Sequence, residues 1–259
     1  QKPWHSESVE RIFERLHTSP AGLSDAEAAE RLQQYGRNEL RSKPPKTVFQ
    51  MLKEQIFDPM VLILISAALL SAILREWTEA IVIFTIVVMN AVIGIVQERK
   101  AQSSMEALRS MSAPTAQVIR QGEESLVPAG ELVPGDIVFL RDGDIVPADI
   151  RLIDTASLKI QEASLTGESV PSEKDADADI SENCVLGDRR NMAYASSVVT
   201  YGRGTGVVVS TGMETEVGNI AGILDHQKEL DTPLKRKLDA VGKTLTVIGL
   251  VVCVLIFAI

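Results

Sequence analysis

Cysteine and histidine are scarce in this chain of 259 residues, which limits the kinds of site it can hold. The two cysteines, Cys184 in a polar region and Cys253 in an apolar run, are not expected to form a structural disulfide. This usage fits a reducing cytosol. The histidines lack metal-ligand spacing, and no metal site is predicted from them: His5, His17 and His226.

Basic residues are also in the minority, with 26 lysines and arginines against 35 aspartates and glutamates and a formal net charge of −9. Proteins that bind nucleic acid favour basic faces, so nucleic acid is not expected as a partner. The N-terminal segment is polar and charged, and no secretory signal peptide is recognised in it.

Three apolar runs interrupt this polar sequence: Met60–Leu74, Ala80–Val96 and Leu245–Ile259. A helix that crosses a bilayer needs about 20 predominantly apolar residues, so the runs predict membrane spans, the third of them cut short. Because the chain begins with Gln1 and stops inside the third run, we expect it to be a piece of a longer polypeptide. A buried hairpin in a soluble protein is the alternative for the first two runs.

Basic residues near the runs favour one orientation in the membrane. The short link between the first two runs contains only Arg75, whereas basic residues cluster on the other sides: Arg41, Lys43, Lys46 and Lys53; Arg99, Lys100 and Arg109; Lys235, Arg236, Lys237 and Lys243. Cytoplasmic loops carry an excess of lysine and arginine, so the N-terminus and residues 97–243 are expected in the cytoplasm.

The start of the first membrane helix has two interpretations. Asp58 is a good N-cap and Pro59 suits a first helical turn, so the helix could begin there. Alternatively, a longer amphipathic helix from about Val48 kinks at Pro59. After the second run, residues 97–111 contain no proline or glycine, and the helix is predicted to continue as a stalk that ends before Pro114.

Two short amphipathic helices are predicted within residues 6–40. Apolar residues recur at helical spacing in the first: Val9, Ile12, Phe13 and Leu16. The second begins at Ser24, with Glu27 placed to form a capping box, and Gly36 marks its end.

Residues 115–212 alternate short β-rich stretches with turn signals. The predicted strands include 117–120, 136–140, 196–201 and 207–210, with Gly202–Gly206 as the turn between the last two. Many short strands with glycine-rich turns are typical of a small all-β sandwich or a distorted jelly roll. The pattern returns to helix after Glu214.

The segment Glu162–Pro171 contains the sequence Thr166-Gly167-Glu168-Ser169. By itself this is a turn with a solvated carboxylate, and four such residues occur often by chance. The rest of the chain supplies the context that changes this interpretation.

The sequence resembles the P-type ATPase family over nearly its whole length. Stretches that match occur in the family's order: Gly22-Leu23-Ser24 and Tyr35–Leu40 in the N-terminal cation-pump segment; Asn90–Ala101 at the end of the second span; Leu132–Val138 and Asp144–Asp149 in the actuator domain; Thr166–Ser169 as its signature loop; and Thr232-Pro233-Leu234 with Lys237–Asp239 before the third span of type IIA calcium pumps.

This resemblance implies a mechanism. In such pumps an aspartate of a separate domain attacks the γ-phosphate of Mg-ATP, and the actuator domain then rotates its loop into the aspartyl-phosphate site. By this match Glu168 positions and partly deprotonates the hydrolytic water. Gly167 lets the loop backbone approach the phosphoryl group, and Thr166 and Ser169 shape the loop.

The resemblance also implies partners and a location. These are Mg-ATP bound by domains outside this chain, a transported cation that would be Ca²⁺, the phosphorylation and nucleotide-binding domains of the same polypeptide, and the lipid bilayer, in a multi-pass protein of a bacterial plasma membrane. Without those domains the chain alone is expected to be inactive. The expected divisions are 1–45, an N-terminal helical segment; 46–111, two spans and the stalk; 112–240, the β-rich actuator domain and linker; and 241–259, the start of the third span.

Alternatives from two classes stay open. One is a pump for Na⁺, H⁺ or Mn²⁺, because ion choice would depend mainly on spans outside this chain. The other is a membrane-anchored β-module that acts as a sensor or adaptor. Asp58 could be a helix cap or lie at a cytoplasmic ion entrance. A solvated loop is predicted at Asp175, Asp177 and Asp179, since an EF-hand needs glycine and glutamate where Ile180 and Leu186 stand.

Overall fold

The computed structural model describes residues 3–41, 47–111 and 114–225, with isolated positions between 234 and 251. Side chains at 59 and 106–111 are outside this description. The third apolar run and the approach to it therefore lie mainly outside the described residues. The chain divides into two units: Gln1–Ser42 with Ser112–Gln227, and Lys43–Met111 with Lys228–Ile259.

The described part of the second unit is helical. Its described helices are α3 (Val48–Ile56), α4 (Pro59–Ile73) and α5 (Trp77–Met111). A capping box starts α3, in which the Thr47 hydroxyl accepts the N–H of Gln50 and the Gln50 amide oxygen accepts the N–H of Thr47.

Asp58 separates α3 from α4. Its carboxylate Oδ1 accepts the N–H of Met60 at 2.9 Å, which is the N-cap bond predicted for this residue. The axes of α3 and α4 differ by 69° across this break. Both interpretations of the helix start are thus partly right, because one helix ends at Ile56 and a second begins at Pro59.

Helix α5 runs without a break for 35 residues, as the lack of proline and glycine after Val96 predicted. Within the described part of the chain, α5 is the helix that is long and apolar enough to cross a bilayer, judged by length and composition. Helices α3 and α4 together also meet this criterion of length and composition if the bent pair is counted as one span.

The first unit is a mainly antiparallel sheet with a helical N-terminal part. Its strands are β1 (Thr115–Arg120), β2 (Glu123–Pro128), β3 (Ile137–Arg141), β4 (Asp149–Gln161), β5 (Ser172–Glu173), β6 (Met192–Ala193) and β7 (Val198–Ser210). All pairs are antiparallel, in the order β2-β1-β3-β7-β4-β5, and β6 also pairs with β4. Hydrogen bonds thus join the seven strands of the described residues into one network.

The sequence prediction of a turn at Gly202–Gly206 is wrong, because β7 continues through these residues. A Cβ at Gly202 would lie 2.3 Å from the Ser157 carbonyl oxygen, and one at Gly206 would lie 2.3 Å from Cγ2 of Ile150. The glycines therefore let β4 approach β7 closely and permit the register shifts between them.

Alternate residues of β7 face two different apolar clusters. Val208 packs in the larger cluster with Ile150 and Leu152, whereas Val207 and Val209 pack in a second cluster with Ile12. Side chains alternate across a strand, so both faces of the sheet are buried. Helix α1 (Val9–Leu16) covers the second face and buries Ile12 completely.

Ala28 and Leu32 of helix α2 (Asp25–Tyr35) pack against Val133, together with Leu23, which precedes the helix. Both bonds of the predicted capping box are present, since the Ser24 hydroxyl accepts the N–H of Glu27 and the Glu27 carboxylate accepts the N–H of Ser24.

Asn38 joins the N-terminal segment to the sheet. Its amide Nδ2 donates to the carbonyls of Ala129 at 2.9 Å and Pro147 at 2.8 Å, and its Oδ1 accepts the N–H of Gly212 at 2.7 Å. A single side chain thus links three separate parts of the β-rich unit.

We expect Asn38→Ala to lower the free energy of unfolding by about 2–4 kcal/mol, because three hydrogen bonds are lost and their backbone partners stay partly buried. Denaturant unfolding of the detergent-solubilised protein measures this. The matched control is Gln34→Ala, at an exposed position of α2, which should change the midpoint little. Equal midpoints for the two variants would contradict the linking role.

Candidate functional site

The predicted signature loop lies between the end of β4 and the short strand β5. Two antiparallel pairs close its base, Lys159 with Glu173 and Ile160 with Ser172. Backbone pairing thus brings the two ends of the loop together, and Glu168 lies near its tip.

Helix α6 (Ala163–Thr166) forms the first side of the loop. The carbonyl of Glu162 accepts the N–H groups of Leu165 at 2.9 Å and Thr166 at 3.0 Å. Gly167 follows in the left-handed conformation, with φ of 78°, and its N–H donates to the Ala163 carbonyl. This single turn ends where a residue with a Cβ would be strained.

The Thr166 hydroxyl links this turn to Glu168. It donates to the Glu162 carbonyl at 3.1 Å and accepts the N–H of Glu168 at 3.2 Å. Since a hydroxyl can donate and accept at once, the two bonds are compatible. Through these two bonds the Thr166 side chain joins the start of the turn to the backbone of Glu168.

The carboxylate of Glu168 is exposed. Among the residues that the structure describes, none donates a hydrogen bond or forms an ion pair with it. A cavity of about 230 Å³ lies beside the loop, lined in part by Glu162, Thr166, Glu168, Glu173, Asp188 and Arg190. The carboxylate is therefore open to a water molecule or to an incoming group.

A buried ion pair lies under the loop, and the sequence interpretation missed it. Lys174 Nζ and Glu162 Oε1 are 2.6 Å apart, and their side chains are 0% and 2% exposed. Burial raises the pKa of Glu162 and lowers that of Lys174, while their mutual attraction opposes both changes. The sequence signal for this pair was two opposite charges, twelve residues apart, on either side of the loop. Sequence alone does not show that the two side chains meet.

Apolar contacts hold the loop from below. Leu165 of α6 and Leu186, in a 3₁₀ turn at Leu186–Asp188, pack against the cluster that contains Tyr194. A Cβ added at Gly187 would lie 3.4 Å from the Thr166 methyl group. The loop base is therefore fixed by packing and by hydrogen bonds.

The acidic residues Asp175, Asp177 and Asp179, which follow Lys174, are not among the described residues that line the cavity beside the loop. All three are exposed, and Asp175 Oδ1 accepts the N–H of Asp177. A larger cavity of about 870 Å³ lies along β3, β4 and β7 and does not include the loop.

Comparison with known families agrees with this geometry. Residues 110–225 match the P-type ATPase actuator domain, and residues 4–71 match the cation transporter/ATPase N-terminus. The chain belongs to the P-type ATPase family. The recognition made from the sequence motifs is confirmed, and the loop at Glu168 lies within the matched actuator domain.

Curated relatives in this family are similar over almost the whole chain. A calcium-transporting ATPase of Bacillus cereus is 46% identical over 99% of the chain, and one of Listeria monocytogenes is 46% identical over 98%. A probable cation-transporting ATPase of Mycobacterium bovis is 42% identical over 92%. The chain spans only 29%, 29% and 26% of these relatives' lengths.

The left-handed conformation at Gly167 gives a test of the loop geometry in this P-type ATPase chain. Among the described residues, no atom beyond the neighbours of Gly167 in the chain lies within 4 Å of a Cβ added there, so the expected cost is conformational. We expect Gly167→Ala to destabilise by about 1–2 kcal/mol and Gly167→Asn by less, because asparagine tolerates this conformation. Denaturant midpoints measure both.

A glycine-to-alanine change within a helix is the control. Gly222 lies in α7 (Glu216–Asp225), where a Cβ would be 3.6 Å from the methyl carbon of Met213. Gly222→Ala should leave stability unchanged or raise it. If Gly167→Ala behaves in the same way, the loop does not hold the left-handed conformation.

Proposed function

We propose that this chain is the actuator-bearing part of an ATP-driven calcium pump and that its loop promotes hydrolysis of an aspartyl-phosphate formed elsewhere in the same polypeptide. The observation that carries the proposal is the open carboxylate of Glu168 at the tip of a loop whose base is fixed. The domain match and the names of the relatives support the class of protein.

The chemistry assigned to this chain is general base catalysis. Glu168 accepts a hydrogen bond from a water and takes a proton as the water oxygen attacks phosphorus. The bond from phosphorus to the aspartyl oxygen breaks, which releases phosphate and restores the aspartate carboxylate.

The remaining residues of the loop are assigned supporting roles. Thr166 and Gly167 shape the backbone that presents Glu168, through the Thr166 hydroxyl bonds and the turn at Gly167. Mg-ATP use is proposed for the whole pump from the names of its relatives, and no residue of this chain is assigned to it.

We place the helical unit in a lipid bilayer, as two spans. Large apolar side chains of α4 and α5 are exposed, including Leu69 at 61%, Ile73 at 76% and Phe84 at 64%. A soluble protein rarely exposes so much contiguous apolar surface, whereas lipid tails accept it. The asymmetry of basic residues supports a cytoplasmic location for the β-rich unit, and the bacterial relatives support a bacterial plasma membrane.

We expect Glu168→Gln in the full-length pump to leave phosphoenzyme formation intact and to slow its breakdown by about 10²–10⁴-fold, since loss of a general base has that effect. The variant keeps the size of the side chain. Phosphorylation with radiolabelled ATP, followed by a chase with unlabelled ATP, measures both steps.

The matched control is Glu173→Gln, which changes an exposed glutamate at the base of the same loop. It should break down phosphoenzyme at the wild-type rate. Normal breakdown in Glu168→Gln would refute the role assigned to Glu168.

Calcium as the transported ion is tested separately. Inverted membrane vesicles that contain the full-length protein should accumulate radioactive calcium when ATP is added, and vesicles with Glu168→Gln should not. A relative named only as a cation-transporting ATPase makes another cation the second candidate. ATP hydrolysis stimulated by Mn²⁺, Na⁺ or H⁺ without calcium uptake would favour that candidate.

A further inference from the structure

We propose that Glu162 and Lys174 are positioning residues for Glu168, and that their buried ion pair holds the two ends of the signature loop in the arrangement that presents the catalytic carboxylate. The inference rests on the proposed function of Glu168, and it assigns a role to two almost completely buried residues.

The ion pair of Glu162 and Lys174 lies at the two ends of the signature loop. Glu162 directly precedes α6, and Lys174 directly follows β5, so the two residues enclose the whole loop between them. Their side chains meet at 2.6 Å below it, and both are almost completely buried. The pair therefore adds a side-chain link to the backbone pairs that close the loop base.

Hydrogen bonds connect the backbone of Glu162 to that of Glu168. The Glu162 carbonyl accepts the Thr166 hydroxyl, and this hydroxyl accepts the N–H of Glu168. A shift of Glu162 thus moves the hydrogen-bonding partner that orients the Glu168 backbone. Two hydrogen bonds separate the Glu162 backbone from that of Glu168.

Lys174 is fixed independently of the loop. Its N–H donates to the Leu158 carbonyl at 2.8 Å, and its ammonium nitrogen lies 5.9 Å from the centre of the Tyr194 ring. Tyr194 belongs to the apolar cluster that also receives Leu165. Lys174 therefore connects Glu162 to strand β4 of the sheet as well as to the other end of the loop.

Stability alone does not account for two charges at this place. Burying an ion pair costs desolvation free energy, and apolar residues of similar size are often as stabilising or more so. Glu162 Oε2 has no hydrogen-bond partner among the described residues, which adds to this cost. A pair with fixed geometry, in contrast to apolar contacts, defines the direction in which the loop leaves the sheet.

The test replaces the pair by apolar residues in the full-length pump, as Glu162→Leu together with Lys174→Met. We expect folding and phosphoenzyme formation at wild-type levels and a phosphoenzyme half-life at least ten-fold longer, because small misplacements of a catalytic group lower rates strongly. The single variant Lys174→Arg keeps the positive charge and a hydrogen-bond donor. It should therefore break down phosphoenzyme at close to the wild-type rate.

If the double-variant protein does not accumulate in cells, Glu162→Gln is tested in its place, because it keeps the side-chain size and removes the charge. It should also lengthen the phosphoenzyme half-life. A folded variant that lacks the ion pair and breaks down phosphoenzyme at the wild-type rate overturns the inference. Equal losses of phosphoenzyme formation and breakdown also overturn it, because they indicate general damage to the domain.

Parallel measurement of Glu168→Gln separates this inference from the proposed function. If Glu168→Gln stalls and the double variant turns over normally, only the positioning role is wrong. If Glu168→Gln itself turns over normally, the proposed function fails, and the positioning inference fails with it.

Discussion

The pairing of two strands, β4 and β7, is the constraint on which the rest of the β-rich unit depends. Each has thirteen residues, and they pair over nearly their whole length. Such close pairing along bulged strands is possible because Gly202, Gly204 and Gly206 present no side chain to the backbone of β4. The signature loop begins where β4 ends, so this pairing also fixes where the loop leaves the sheet.

The loop combines a fixed base with an open tip, and this combination suits the proposed function. Strand pairs, the buried ion pair and the contacts of Leu165 hold the base, whereas Glu168 stays exposed. A catalytic group that is carried to a distant phosphoryl group must keep its own geometry during the movement. Each additional rotational freedom of the loop lowers the fraction of encounters in which the group is correctly oriented. Its free carboxylate must still reach a partner that another domain supplies.

Local features were readily predicted from the sequence. The capping box at Ser24 and Glu27, the cap at Asp58, and the long helix through residue 111 all depend on neighbouring residues, and all are present. Features that depend on distant residues were missed or wrong. The glycines of β7 were interpreted as a turn, because glycine at a turn and glycine at a close strand contact are identical in sequence. The ion pair of Glu162 and Lys174 was missed because the sequence does not show that these two side chains meet.

The sequence by itself determined the family and the alternation of apolar and polar segments, and it predicted the signature loop, because these depend on residue order and local spacing. Tertiary structure decided which glycines allow strands to approach, which side of the sheet α1 covers, and which charges meet below the loop. Asn38 illustrates the difference, since its motif was recognisable in the sequence, but its three partners at 129, 147 and 212 come together only in the fold. Contacts between residues far apart in the chain depend on how the whole sheet closes, and no short stretch of sequence contains that information.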